Sequence, residues 1–436
     1  MSRISVRSFG GLLAAAVVIS GCSLFSEDER LEGERVRIRD QQQQPGQTFT
    51  GNVPALPNAR RNAEWTQTNG RSNHAFGHLE GPINPAAVWR SDGGSGSDSG
   101  ITGTPIIVGG RVFVLDAEAQ LSAFDANSGD TAWRTDLTPE GESSSDGFGG
   151  GLAAERGTIF ATTGFGEVLA INANSGEVIW RTRSSAPFRA APAVENGTVI
   201  AVTRDNRGLA LNGQTGDIIW RIDGISGSAG LLGGASPAIQ GRLAVLPFAS
   251  GEVIGADTIS GRTRWSAVLG GARRGLARAS ISDVTGAPVI VGRAVVAANQ
   301  SGRIVAIDGQ TGRRGWTRSI GATGPLWAAG ESIYMVSDDS AVVRLSVQTG
   351  QTLWRTEIPA FEDEEDREDP IAYSGPVMVA GRLLVTSSLG DLLSFDAQTG
   401  EALGAVDLSD GTSRGVAVAN GTIYVLTEDG NLEAFR

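Results

Sequence analysis

His74 and His78, in the stretch NHAFGHLEG, stand four residues apart. That separation would bring two imidazoles together on one face of a helix and let them share a divalent metal. The local sequence does not supply the helix: Gly77 lies between them, Gly81 follows, and no 3.6-residue period surrounds them. Both therefore read as structural or solvent-exposed groups. They are the only histidines in 436 residues, so the rest of the chain lacks the usual base of a serine triad and the usual imidazole ligand of zinc. Cys22 is the only cysteine, which excludes an intramolecular disulfide. The run EDEEDRED, Glu362 to Asp369, lacks spaced Asp or Asn ligands around a turn glycine, so it reads as a solvated loop rather than a calcium loop. GFGGG and GLLGG precede strands, unlike a phosphate-cradling loop, which opens a helix. Scattered carboxylates leave a glycosidase pair open. No residue is assigned as catalytic, cofactor-binding or metal-ligating, and no cofactor is expected.

A formal charge of −12 and a pI near 4.8 argue against a nucleic-acid partner, which requires a concentrated basic surface. At the N-terminus, Arg3 and Arg7 precede an apolar stretch from Phe9 to Ile19 and then ISGC. A charged start, a short apolar middle and small residues describe a secretory signal peptide, too short to span a bilayer comfortably. ISGC looks like a bacterial lipobox, which makes Cys22 the acylated first residue of the mature chain. Several acyl chains, at roughly 0.8 kcal/mol per buried CH₂, would anchor it in effect permanently. Ser23 after the cysteine favours the outer membrane, with the protein on its periplasmic face. The expected organisation is a signal peptide over 1–21, a flexible tether over 22–62 that includes QQQQPGQ, and one folded domain over 63–436.

The elements are announced by repetition. FDANSGDTAW, INANSGEVIW, LNGQTGDIIW, IDGQTGRRGW and LSVQTGQTLW share one turn, and its glycine recurs at 129, 176, 216, 261, 312, 350 and 400. Intervals of 38 to 51 residues between these glycines, filled only by strand-forming runs such as RVFVLDA, indicate propeller blades. An eighth unit, TIYVLTEDGNLEAFR, stops before its turn, and PAAVWRSDG with Trp89 supplies an outer strand with no blade before it. The reading is an all-β, eight-bladed propeller of four-stranded antiparallel blades, closed by that N-terminal strand. The turn glycine provides positive φ. Trp133, Trp180, Trp220, Trp265, Trp316 and Trp354, four residues beyond, are assigned to packing between blades. Gly404 stands where the seventh Trp belongs, so that blade boundary is expected to be looser.

The consensus small-x-Asp-x-x-Thr/Ser-Gly-x-x-x-Trp resembles the repeat of quinoprotein alcohol dehydrogenases. It also resembles the BamB family, non-enzymatic lipoproteins of the outer-membrane β-barrel assembly machine. The dehydrogenases use a disulfide between adjacent cysteines, which a single Cys22 cannot form, so the resemblance to BamB carries the expectation. It implies a scaffold that binds BamA within the assembly complex and assists insertion of outer-membrane proteins, with unfolded substrates as possible further partners. The alternatives are a quinone-dependent dehydrogenase and a cell-wall or polysaccharide-binding lipoprotein. Two adjacent long connections, GISGSAGLLGGASP and GGARRGLARASISDVTGAP, suit a protein interface through Leu231, Leu232, the Arg273, Arg274 and Arg278 cluster, and Asp283. The resemblance places Leu231 and Asp283 on family positions that contact BamA. Leu232 stands where the family has Arg, and Thr285 where it has a second Asp.

Overall fold

The computed structural model describes residues 51, 53–96, 100–188, 190–226, 234–270 and 283–436. Eight four-stranded antiparallel sheets follow one another along the chain. Blade 1 consists of Ile106–Val108, Arg111–Leu115, Gln120–Asp125 and Thr131–Asp136; blades 2 to 7 begin at Gly150, Ala193, Ala238, Val284, Trp327 and Tyr373. Blade 8 takes three strands from the C-terminus, Ala417–Ala419, Thr422–Leu426 and Asn431–Phe435, and its fourth from Ala87–Asp92. From blade 1 to blade 7 the first strand of each blade packs beside the first strand of the next, Thr412 N–H on the way into blade 8 donates to the Ser387 carbonyl of blade 7 at 3.0 Å, and the first strand of blade 8 packs beside that of blade 1, so the ring is closed. At the seam Trp89 lies opposite Ala434 and Asp92 opposite Asn431, while Ala86 and Arg436 exchange backbone hydrogen bonds of 2.8 and 2.9 Å. The expected closure is the observed one.

Position within a blade dictates the residue pattern. The second and third strands are covered on both faces by neighbouring blades, so runs such as Val112–Leu115 and Leu121–Phe124 are buried without alternation. Fourth strands are outermost and alternate, as in Thr131–Asp136. All six blade tryptophans sit in these fourth strands; Trp220, Trp265 and Trp316 are buried, whereas Trp133, Trp180 and Trp354 are half-buried.

The repeated glycine and tryptophan prove to be one device. Each turn glycine from Gly129 to Gly400 has a φ between 67° and 82°, and a Cβ built there would stand 2.3 to 2.7 Å from the Trp of the preceding blade. From Trp133 to Trp354, each indole Nε1–H also donates to a carbonyl in that same neighbouring turn, as Trp220 does to Thr258 at 2.9 Å and Trp265 to Gly309 at 2.8 Å. The glycine is required twice, for its backbone and for the ring that lies on it. Gly404 is thereby explained. Its following blade has no third-to-fourth-strand turn, because the two ends of the chain meet there, so a Trp at 404 would have no socket.

Two expectations change. The acidic run is exposed as expected, but it forms a two-stranded hairpin, Phe361–Asp363 with Glu368–Pro370, between blades 6 and 7. Residues 53–62, expected as tether, already touch the blades: Gln398 donates to the Val53 carbonyl at 3.3 Å and Arg344 to that of Pro54.

Candidate interaction faces and the closed centre

An antiparallel meander sends its first and third turns to one end of the blade. Its second turn, together with the connection to the next blade, lies at the other end. The ring therefore has a turn face, with the repeated glycine turns, and a loop face, with the connections between blades.

The centre is occupied by the chain itself. Asn420 N–H donates to the Asn62 carbonyl on blade 8, and Trp65 exchanges backbone bonds of 2.8 and 2.7 Å with Ile107 on blade 1. Ala154 of blade 2 donates to Thr66, and Gln67 exchanges side-chain bonds of 2.7 and 2.9 Å with the backbone of Val194 on blade 3. Ile239 of blade 4 bonds to Ser72, Ile290 of blade 5 to Asn73, the Trp327 indole of blade 6 to Gly77, and Leu79 to Met378 and Ala380 of blade 7. Residues 62–79 thus visit all eight blades in ring order. The circle closes where Arg60 pairs with His78 and Glu80. The first strands would otherwise present an unpaired inner edge, and this segment satisfies part of it. Trp65, 1% exposed, stacks between Phe76 and Trp327 with ring centroids 5.7 and 5.9 Å away. Arg344, buried in blade 6, clamps the entry by donating to the carbonyls of Pro54 and Ala397 and to the hydroxyl of Ser332.

Both histidines belong to this circle and neither is solvent-exposed. His74 is buried with its Nδ1 2.8 Å from the Pro288 carbonyl, while Nε2 makes no hydrogen bond; burial pushes its pKa down to about 4. A proton on Nε2 would be buried without an acceptor, so the ring is neutral. His78 donates to Pro57 and accepts the Gly381 N–H at 2.7 Å, which fixes its tautomer. Their metal-like spacing is fully spent on backbone. Among the described residues no group of three or more His, Cys, Asp or Glu side chains could hold a metal ion.

On the loop face, the expected partner residues separate. Leu231, Leu232, Arg273, Arg274 and Arg278 lie outside the described residues, as does Cys22. Asp283 is fully buried at the base of its connection, immediately before the eight-residue first strand of blade 5, Val284–Val291. Thr285 donates to the Ala322 carbonyl at 2.7 Å and ties that strand to the start of blade 6. Neither side chain is therefore free at the surface in the way the sequence reading expected. The acidic hairpin lies on the same face with two carboxylates turned onto its own backbone: Asp363 accepts from the backbone of Glu365 and Asp366, and Glu364 from that of Ala360 and Phe361.

The turn face shows what the sequence reading missed. A depression of about 550 Å³ opens between blades 4 and 5, lined by Arg242, Asp257, Arg262, Thr263, Arg264 and Gln310. Asp257 lies between Arg242 at 2.9 Å and Arg264 at 2.7 Å, and the two guanidiniums hold its carboxyl far below the usual carboxylate range. The available signal was the residue after each turn glycine, which is Arg only in blades 4 and 5.

The family model described as outer membrane protein assembly factor BamB matches residues 82–147 and 141–356. A protein of that name from Alkalilimnicola ehrlichii is 37% identical over 351 residues, 80% of this chain and 88% of that protein. The crystal structure of BamB from Moraxella catarrhalis superposes with a TM-score of 0.68 at 19% identity, covering 81% of this chain and all of that one. Quinohemoprotein alcohol dehydrogenase from Comamonas testosteroni gives 0.66 at 14% identity, covering 87% and 81%. At such identities both structures establish the fold alone.

Proposed function

This chain belongs to the BamB family of outer membrane protein assembly factors, and from that premise we propose that it is a non-catalytic scaffold lipoprotein of the barrel assembly complex. It is held on the periplasmic face of the outer membrane by acylated Cys22, and its loop face at blades 4 and 5 binds BamA while outer-membrane proteins are inserted. The family match over most of the chain carries the reading.

The fold suits a scaffold. Eight blades, locked by Trp–Gly contacts at seven of their eight boundaries and joined at the centre by residues 62–79, form a rigid body whose connections can be presented at fixed positions. Leu231 and Leu232 supply the apolar contact. Asp283 is buried and Thr285 is bonded to the Ala322 carbonyl, so the contact is assigned to the connection before them rather than to these two side chains.

Photo-activated crosslinking from Leu231 in intact envelopes tests this; amine-reactive reagents would find no lysine, because all 36 basic side chains are Arg. BamA is the expected captured chain. Repeated failure to recover BamA, both by this crosslink and by affinity purification of the native lipoprotein, would overturn the proposal.

A further inference from the structure

The glycine turn is written seven times, so the chain supplies its own reference for what each position needs. Two residues before the glycine, six turns carry Asn127, Asn174, Gln214, Gln310, Gln348 and Gln398. Blade 4 instead carries Ile259, which is 63% exposed. Immediately after the glycine, blades 1, 2, 3 and 7 carry Asp130, Glu177, Asp217 and Glu401, and blade 6 carries Gln351. Blades 4 and 5 carry Arg262 and Arg313, both exposed.

The fold does not require these exchanges. The turn is closed in the same way throughout: Gly176 N–H donates to Asn172 at 2.9 Å, Gly261 to Asp257 at 2.9 Å, and Gly312 to Asp308 at 2.8 Å. Among the described residues neither Arg262 nor Arg313 has an ion-pair partner. The surroundings share the bias. Residues 240–243, 257–264, 291–294 and 308–313, which form this part of the turn face, contain five Arg against two Asp within a chain of net −12. On the turn face Arg242 and Arg264 grip Asp257, and Arg293 holds Asp308 at 2.9 Å.

We propose that the turn face of blades 4 and 5 docks an acidic stretch of a second protein, with an apolar side chain of that protein on Ile259 and its carboxylates on Arg262 and Arg313. A solvent-exposed isoleucine among arginines has the composition of an interface centre and its charged rim. The depression already seats one carboxylate between two guanidinium forks, the geometry that arginine offers to carboxylates. Ile259, two residues from the Asp257 that lines the depression, gives an exposed apolar anchor beside a concave surface, which favours a polypeptide over a flat anionic bilayer. The site lies opposite the loop face, so its failure would leave the BamA proposal standing, and the reverse.

The test uses the mature chain with Cys22→Ser, a fluorescent random copolymer of glutamate and leucine as probe, and anisotropy as readout. The turn-restoring variant Ile259→Gln/Arg262→Glu/Arg313→Glu places at each site the kind of residue this chain's other blades carry, so its unfolding midpoint should stay unchanged. Expected are at least tenfold weaker binding in that variant, a weaker interaction at high salt, and little loss in the control Arg204→Glu/Arg221→Glu on blade 3. Equal binding by the variant, or equal weakening by the control, would overturn the proposal. So would displacement of the copolymer by phosphatidylglycerol vesicles, which would mark a membrane face, or by millimolar phosphate, which would mark a small-anion site.

Discussion

His74 gives the circle at the centre of the ring a measurable acid limit. In the folded protein its pKa falls to about 4 from an ordinary value of 6.5, because the imidazole is buried and its Nε2 has no acceptor. Below pH 6.5 the unfolded chain takes up a proton that the native chain refuses. The stability supplied by the neutral ring is therefore complete above 6.5, falls as pH drops toward 4, and is constant below that. The gap from 6.5 to about 4, at 1.36 kcal/mol per pKa unit, corresponds to about 3 kcal/mol lost across this window. Carboxylates titrate nearby in pH, so the measurement is a difference between wild type and His74→Asn. Asparagine tolerates the positive φ of 59° and its amide can donate to the Pro288 carbonyl, but it does not titrate. Urea unfolding at pH 7.5, 6.0, 5.0 and 4.0 should show wild type losing about 3 kcal/mol relative to the variant, most of it between pH 6 and 4. Parallel pH profiles for the two proteins would refute a neutral, buried His74.

The turn glycines should be intolerant of any side chain. Gly216→Ala introduces a Cβ 2.7 Å from Trp180 at a φ of 77°, and by calorimetry should destabilise by about 2 to 4 kcal/mol, the left-handed backbone and overpacking acting together. Trp220→Ala should cost about 3 to 5 kcal/mol in denaturant unfolding, since it empties the same kind of socket. Gly404→Trp, which restores the repeat consensus, should give no rise in melting temperature, because blade 8 has no turn to receive the ring. Cys22→Ser should move the protein from the membrane pellet to the soluble periplasmic fraction if acylation is the anchor.

The all-β class, the eight blades and their closure were legible because a propeller is a one-dimensional repeat: each unit must carry the same turn and the same packing residue, and a seam strand must be missing at one end and present at the other. The lipobox at Cys22 is also a local pattern, and the acylation proposed from it rests on the sequence alone. Other features needed coordinates. No local rule says that the Trp of one blade lies on the glycine of the next, because that contact joins residues about 40 apart and depends on how blades tilt against each other. Nor does any rule say that residues 62–79 circle the centre, since their partners are backbone groups of eight separate strands. That circle turned two histidines with metal-like spacing into buried and half-buried packing groups, and the end of a presumed tether into part of the fold. The sequence by itself determined the repeating unit, whose strands and turns are decided by neighbouring residues. Only the tertiary structure decided which edges remained unsatisfied once eight units met in a ring, and which polar side chains were drawn in to satisfy them.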